Sequence, residues 1–164
     1  MVKPKYDELK ATQVAGYILK NTGGTMNYMK LVKLIYLAER TSLAMHGVPM
    51  IYDDLFSLPK GPVPSKTLNI IREKTSGKYF PKYIKNTKFY DVKLICDTET
   101  TELSKADVKI LNQIINEYGN FDEWKLNKVV HQLPEYTELE NGAGSKKRIP
   151  IDSIAGSIPR RSAA

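Results

Sequence analysis

One segment of the chain, residues 26–45, constrains the fold more than any other. Its apolar residues recur at helical spacing and form a broad stripe that holds Leu31, Val32, Leu34, Ile35, Tyr36, Ala38 and Leu43. The remaining polar side is narrow and holds Lys30, Lys33, Glu39 and Arg40. A helix that is apolar around most of its circumference is buried on most sides. The pattern therefore predicts a central core helix that begins after Thr25 and ends at His46-Gly47.

Four further helices are predicted around this core helix. They cover residues 8–20, a short stretch after Ser65, the residues between Ser104 and Gly119, and the residues between Asp122 and Pro134. Ser104 and Asp107 have the spacing of a capping box, in which each side chain satisfies the other residue's backbone N–H. Gly119 is placed to stop that helix and Asp122 to cap the next one.

Short apolar runs between the helices predict hairpins. Met50–Tyr52 and Leu55–Leu58 flank Asp53-Asp54, which is interpreted as the turn between two strands. Gly61-Pro62-Val63-Pro64 is interpreted as a rigid turn that leads into the short helix. Residues 77–96 predict a second hairpin whose lysines protect its edge. The expected fold class is α+β and predominantly α-helical, a single domain with a long central core helix and one small antiparallel β-sheet built from these hairpins.

The length of 164 residues is that of one ordinary domain. We predict a packed domain over residues 1–138 and a basic, Gly/Ser-rich tail over residues 139–164. The tail is expected to be mobile and to dock through its apolar patch, Ile149–Ile154. The beginning of the chain has no apolar stretch after its lysines, and no run of residues has the length of a membrane helix. These features predict a cytoplasmic protein without a membrane partner.

The net charge of +7 is unevenly distributed. Residues 66–93 carry eight Lys or Arg against Glu73 and Asp91, a balance of +6. The lysines of this segment alternate with aromatic residues, which are Tyr79, Phe80, Tyr83, Phe89 and Tyr90. Lysines beside stacking aromatics are typical of a surface for single-stranded nucleic acid, and the same alternation is typical of a half-buried hairpin. A basic segment equally attracts an acidic protein face, so the sequence leaves these interpretations open.

Catalytic chemistry has little support in the sequence. The histidines, His46 and His131, have no Cys or His neighbour at the spacing of metal ligands, and Cys96 is the single cysteine. Neither a phosphate-binding glycine motif nor a nucleophile elbow is present. We therefore expect no catalytic residue, no metal site and no cofactor, and we interpret His131 as a hydrogen-bonded residue at a helix C-terminus.

Several of these segments together resemble the Panacea domain, the family of SocA-like antitoxins and phage-associated GepA-like proteins. The resemblance depends on the core-helix string from Met29 to Gly47, on the apolar and acidic hairpin that follows, and on Gly61-Pro62-Val63-Pro64 before a helix. The helices from Leu103 to His131 resemble the second half of the family, so that the likeness extends over about residues 8–136.

The resemblance implies an antitoxin of a type II toxin–antitoxin system, which neutralises a toxin encoded by a neighbouring gene through direct protein–protein contact. Some SocA-like members are linked to delivery of their toxin to a protease, and Ser162-Ala163-Ala164 resembles the small-residue endings that some bacterial proteases recognise. The alternative is a regulator of a phage or mobile element that binds nucleic acid through residues 66–93.

The sequence predicts two sets of site residues, one structural and one in contact with the toxin, and Lys30 and Lys33 belong to both. A structural role is expected for the residues that match the family motif: Lys30, Leu31, Lys33, Leu34, Tyr36, Gly61, Pro62, Val63 and His131. Contact with the toxin is predicted for polar residues of the core helix and of the hairpin turns: Lys30, Lys33, Arg40, Asp53, Asp54 and Lys60.

Overall fold

A long helix, α2 (Tyr28–His46), lies at the centre of the hydrophobic core. The structure is a computed structural model that describes residues 5–139 and 144–157. Every residue of α2 from Leu31 to Glu39 is buried, which confirms the predicted central core helix. The helix begins two residues later than predicted, since Asn27, not Thr25, is its N-cap and accepts from the backbone N–H of Met29 at 2.8 Å. Its C-cap is Gly47, whose φ of 71° suits glycine.

Four shorter helices surround α2. They are α1 (Glu8–Lys20), α3 (Ser65–Ile71), α4 (Lys105–Tyr118) and α5 (Glu123–His131). The capping box of Ser104 and Asp107 is present at the start of α4, and Asp122 caps α5. α5 ends at His131, before Pro134, and Gln132 is its C-cap. The predicted α+β class, predominantly helical, is confirmed.

The strands form two antiparallel sheets where the sequence predicts one. The six described strands are β1 (Thr25–Asn27), β2 (Leu55–Leu58), β3 (Gly61–Pro64), β4 (Ile84–Asn86), β5 (Asp91–Leu94) and β6 (Lys147–Arg148). The first sheet has the order β1-β5-β4, and the second has the order β3-β2-β6. β2 and β3 form one hairpin, and β4 and β5 form the other. Each hairpin pairs with a third strand from a distant part of the chain.

The first hairpin differs from the prediction. Its turn is Pro59-Lys60, and the predicted rigid turn, Gly61–Pro64, is the second strand, with Leu55 opposite Pro64. Proline is tolerated in β3 because β3 is an edge strand, so the backbone N–H that proline lacks is not needed to pair with a further strand. Asp53-Asp54 precedes the hairpin and is not its turn, since Met50–Tyr52 forms no strand.

The described part of the tail packs on the second sheet. The backbone N–H of Ile149 donates to the carbonyl oxygen of Leu55 at 2.8 Å, and Ile149 and Ile154 are both buried. They form a small apolar cluster with Tyr36, Leu43, Ala44 and Leu55. A domain boundary at residue 138 stays a prediction, and Ser162-Ala163-Ala164 lies outside the described residues.

Candidate functional site

The polar residues of α2 form a line of contacts inside the molecule, which we call the polar seam: Lys30, Lys33, Tyr36 and Arg40. Lys30 Nζ donates to the carbonyl oxygen of Gly119, at the end of α4, at 2.6 Å. Lys33 Nζ donates to the carbonyl oxygen of Pro62 in β3 at 2.9 Å. Each of these lysines thus joins α2 to a neighbouring element. Lys33, only 2% exposed, lies inside the protein and not on the exposed polar side that the helical pattern predicts.

The far end of the polar seam is an ion pair. Glu135 follows α5, and its carboxylate accepts from Arg40 Nε at 2.6 Å and from the Tyr36 hydroxyl at 2.8 Å. The Glu135 side chain is 2% exposed and that of Arg40 is 14% exposed. Burial, and then the negative charge of Glu135, raise the pKa of Tyr36, so its hydroxyl remains a donor. Arg40 therefore holds the segment after α5 against the core helix.

The two aspartates before the hairpin have different environments. Asp53 is 2% exposed, and its carboxylate accepts from the backbone N–H groups of Lys66 and Thr67 in the first turn of α3, at 2.8 and 2.9 Å. It therefore caps α3 from a distance and is not part of a turn between two strands. Asp54 is partly exposed and lies 3.1 Å from Arg148 Nη1 of β6.

The carboxylate of Glu39 is also buried, and it lies beneath the same segment. It accepts from the backbone N–H groups of Met50, Ile51 and Asp53. Burial raises the pKa of Glu39 to about 7, although these three donors act in the opposite direction. The pKa of Asp53 is raised by burial as well. These groups hold the chain before the hairpin and have no exposed face.

Gly61 lies where the hairpin meets α2 and α5. Its φ is +115°, and a Cβ at this position would lie 2.8 Å from Lys33 Nζ and 3.2 Å from Asn127 Oδ1. His131 lies beside it, with Nδ1 2.7 Å from the carbonyl oxygen of Asn127 and its ring against Tyr136. Only glycine combines this backbone conformation with the close approach of Lys33.

An open cavity of about 650 Å³ lies over the beginning of α2 and is bordered by exposed aromatic side chains. Phe89 is 86% exposed, Tyr90 76% and Trp124 74%. Lys33 and Asn127 line its base, and its border is completed by Asn27, Tyr28, Met29, Lys60 and Glu123. We call these ten residues the aromatic cleft.

The three exposed aromatic residues of the cleft belong to two elements, the β4–β5 connection and α5. Phe89 and Tyr90 connect β4 to β5 with φ of 61° and 66°, which places both in the left-handed region. Such a conformation costs about 1–3 kcal/mol for each non-glycine residue, and it is maintained where the surrounding structure or a function requires it. Trp124 is in the first turn of α5, on the side away from the buried Leu126.

The base of the cleft contains polar atoms with unused hydrogen-bonding capacity. Within residues 5–139 and 144–157, the ammonium of Lys33 has one acceptor, Pro62, for its three protons. Asn127 Oδ1 is buried and has no donor among the same residues. Burial, and then the positive charge of the nearby Arg72, lower the pKa of Lys33 to about 7. A cationic donor and an amide acceptor therefore meet beneath exposed aromatic rings.

The contact residues predicted from the sequence do not include Trp124, and Phe89 and Tyr90 were interpreted as parts of a hairpin or of a nucleic-acid surface. Helical spacing contains a signal for Trp124, since it precedes Leu126 by two residues and so lies on roughly the opposite side of the helix. No local signal identifies the cleft, because its members come from the beginning of α2, the β2–β3 turn, the β4–β5 connection and α5. Of the predicted contact residues, the cleft includes Lys33 and Lys60.

The described residues offer no group of three His, Cys, Asp or Glu side chains arranged for a metal ion. Over the same part of the chain, each helix is too short or too polar to cross a membrane. Cys96 is exposed and forms no disulfide.

A family model described as antitoxin SocA-like, Panacea domain, matches residues 31–136. The match covers the chain from the second turn of α2 to the residue after Glu135, and it contains most of the polar seam and of the aromatic cleft. Neither a curated protein nor a solved structure matches the chain.

Proposed function

The chain belongs to the SocA-like Panacea family of antitoxins, and from this membership we propose that it neutralises a protein toxin, the product of a neighbouring gene, by direct contact. The arrangement corresponds to a type II toxin–antitoxin pair, in which both partners are proteins. The observation that carries this proposal beyond the family is the aromatic cleft.

Exposed aromatic residues concentrate in the aromatic cleft. Of the six large apolar side chains that are exposed in the described residues, Phe89, Tyr90 and Trp124 border it, and the others are aliphatic. Tryptophan and tyrosine are enriched among the residues that contribute most to protein–protein binding, because a large ring buries much area at low entropic cost. Three such rings exposed around one cavity support a binding surface for another protein.

The contact residues predicted from the sequence divide according to their burial. Lys60 is exposed at the border of the cleft, and Lys33 is accessible only from inside it, so we propose both as contacts. Lys30, Arg40 and Asp53 already have partners within the protein, and we propose that they act by holding the elements that form the surface. Asp54 is partly exposed beside Arg148, and a contact there stays a prediction.

A binding role accounts for what the cleft contains. Its side chains supply apolar area, one buried cation and one buried amide, a combination that favours recognition. We accordingly propose a non-enzymatic role that requires no cofactor. The cytoplasmic location and a protease partner for the tail remain predictions.

The nucleic-acid alternative loses two of the five aromatic residues of its proposed stacking surface. Phe80 is buried, and Tyr83 packs against the main core. Phe89 and Tyr90 are the exposed aromatic residues of segment 66–93, and they border the same cleft. Binding of an oligonucleotide that weakens steeply with salt would support this alternative.

Co-expression tests the proposal. Each neighbouring gene is expressed alone in a bacterial host, and growth is compared with and without this protein. We expect one neighbour to stop growth and the wild-type chain to restore it, with the two proteins purifying as a complex. If no neighbour is toxic and nothing copurifies, the proposal is wrong.

Variants assign the contact to the cleft. Trp124→Ala should weaken the complex about thirtyfold, the effect of losing about 2 kcal/mol at a central aromatic contact. Since Trp124 is 74% exposed, its removal should change the free energy of unfolding by less than about 0.5 kcal/mol. Ile95→Ala is the matched control, because Ile95 is also exposed but does not line the cleft. Equal weakening by both variants would contradict the assignment to the cleft.

A further inference from the structure

We propose that the aromatic cleft receives a segment of the partner protein in which an apolar side chain stands next to a carboxylate, and that this carboxylate pairs with Lys33 at the base. This inference rests on the proposed function and defines the chemistry of the toxin at the contact.

The cleft has the size and walls of a side-chain pocket. Its volume of about 650 Å³ is within the usual range of binding sites, about 300–1,000 Å³. The rings of Tyr28 and Tyr90 lie 6.3 Å apart at a tilted angle of 43°, and Trp124 borders the same space. With Phe89, four rings surround one opening and favour an apolar side chain as the main occupant.

The charge of the lining residues selects an anion. Lys33 and Lys60 outnumber Glu123, and Arg72 lies near enough to influence the pKa of Lys33. Lys60 and Glu123 are near solvent, where their charges are partly screened, whereas Lys33 is buried. A negative group that reaches the base therefore meets a cation that is itself buried, so the attraction is screened less than at the border.

A protein segment satisfies both polar groups at the base. Its carboxylate accepts from the protons of Lys33 that have no acceptor among the described residues, and a backbone N–H of the same segment donates to Asn127 Oδ1. A buried polar atom without a partner is unfavourable, so a ligand that provides the partner gains affinity in addition to its own contacts.

Binding of a carboxylate also changes the protonation of Lys33. In the free protein its pKa is about 7, because burial and Arg72 disfavour the charge. A carboxylate beside Nζ raises that pKa, so the complex takes up a proton above pH 7. The affinity should therefore decrease as pH rises, by about tenfold between pH 6.5 and 8.5.

Other groups around Lys33 have to be separated from this effect. The charged and titratable neighbours are Tyr28 and Lys30 on α2, Lys60 in the hairpin turn, Arg72 after α3, Tyr90 before β5, and Glu123 and His131 on α5. Among these residue types, only histidine ordinarily titrates near neutral pH. His131→Gln is thus the control variant for the pH dependence.

The single tryptophan of the chain, Trp124, borders the cleft and provides the signal. The protein is labelled with 5-fluorotryptophan, and its one ¹⁹F resonance is followed during titration with capped dipeptides. The probes are acetyl-Phe-Asp-amide, acetyl-Phe-Asn-amide and acetyl-Ala-Asp-amide. We expect Phe-Asp to bind at least about tenfold more tightly than either of the others, since each lacks one of the two groups.

Lys33→Met tests the base of the cleft. Methionine retains an unbranched side chain of similar length without the charge, so the preference for Phe-Asp over Phe-Asn and the pH dependence should both disappear. His131→Gln should retain both. The preference and the pH profile of the wild-type protein decide the question even where Lys33→Met does not fold.

Four results would overturn the inference: equal binding of Phe-Asp and Phe-Asn, affinity independent of pH, no shift of the Trp124 resonance with any probe, or a shift produced only by single-stranded oligonucleotides. Rescue of a toxin by the wild-type chain together with equal dipeptide binding would reject the cleft chemistry and leave the antitoxin proposal standing. Selective dipeptide binding without any rescued toxin would reject the toxin as the occupant.

Discussion

The polar seam and the aromatic cleft share Lys33 and otherwise invert the usual relation between residue type and exposure. In the seam, the charged residue Lys33 is buried, and the partly buried Lys30 and Arg40 each have a partner within the protein. In the cleft, Phe89, Tyr90 and Trp124 lie largely in solvent. A charged side chain can be buried where the fold supplies its partner, and an aromatic side chain that remains exposed has area available for another molecule.

The comparison assigns different roles to the two regions. Loss of a seam residue should reduce stability and affect binding through misfolding. Loss of a cleft residue should reduce binding and leave stability almost unchanged. Lys33 lies in both regions, so its substitution should affect both properties.

The largest effect is expected from Arg40→Met. It leaves the buried carboxylate of Glu135 without its cation, and removal of one partner of a buried ion pair typically destabilises a protein by about 3–5 kcal/mol. Unfolding in urea, followed by circular dichroism, measures the free energy difference.

Lys20→Met is the control for this measurement. Lys20 pairs with Asp97 at 2.8 Å, but both side chains are more than half exposed. Surface pairs of this kind contribute little to stability, so the urea midpoint should remain near that of the wild type. If Arg40→Met were as mild as Lys20→Met, the polar seam would contribute no more than a surface contact.

The second effect is the pH dependence of the unfolding free energy. It tests whether Lys33, which belongs to both regions, has a lowered pKa in the folded protein. The pKa of Lys33 is about 7 in the folded protein and near its ordinary value of 10.5 in the unfolded chain. Between these values the unfolded state holds one proton more, so a rise in pH favours the folded state. Relative to Lys33→Met, the wild type should gain about 2 kcal/mol of unfolding free energy between pH 7 and pH 9.

Urea unfolding of both proteins at several pH values tests this sign. Glu39, whose pKa is raised to about 7, acts in the window below pH 7, where its titration makes the folded state less stable as pH rises. It is common to both proteins and cancels in the difference. A difference that stays constant above pH 7 would mean that Lys33 is charged in the folded protein.

The smallest effect tests whether the left-handed backbone conformation of Phe89 in the cleft reduces the stability of the protein. Phe89→Gly relieves the positive φ of 61° and should increase the unfolding free energy by about 1 kcal/mol, while weakening binding to the toxin. Phe89→Ala removes the same ring but keeps the strained Cβ, so it should weaken binding without the gain in stability. Thermal unfolding compares the two variants, and equal stability of both would show that the conformation of Phe89 stores no strain.

Local patterns predicted most helices and several of their ends. The apolar stripe of α2, the capping box at Ser104 and the terminal Gly47 each depend on residues within a few positions of one another. Such signals survive in the sequence because a helix forms its hydrogen bonds within its own segment.

The hairpins were less predictable because their ends depend on distant groups. Asp53-Asp54 has the composition of a turn, but Asp53 accepts hydrogen bonds from the start of α3 and is buried. Gly61–Pro64 also has the composition of a turn and forms an edge strand instead. In both cases a tertiary partner overrides the local preference.

The sequence by itself determined the family, the α+β class, the central helix and the membership of Leu31, Leu34 and Tyr36 in the core. The tertiary structure decided which polar residues are exposed and which aromatic residues form a surface. Lys30 and its acceptor are 89 residues apart, and Arg40 and Glu135 are 95 apart. No local pattern records such a pairing, because exposure depends on what the whole fold places against a side chain.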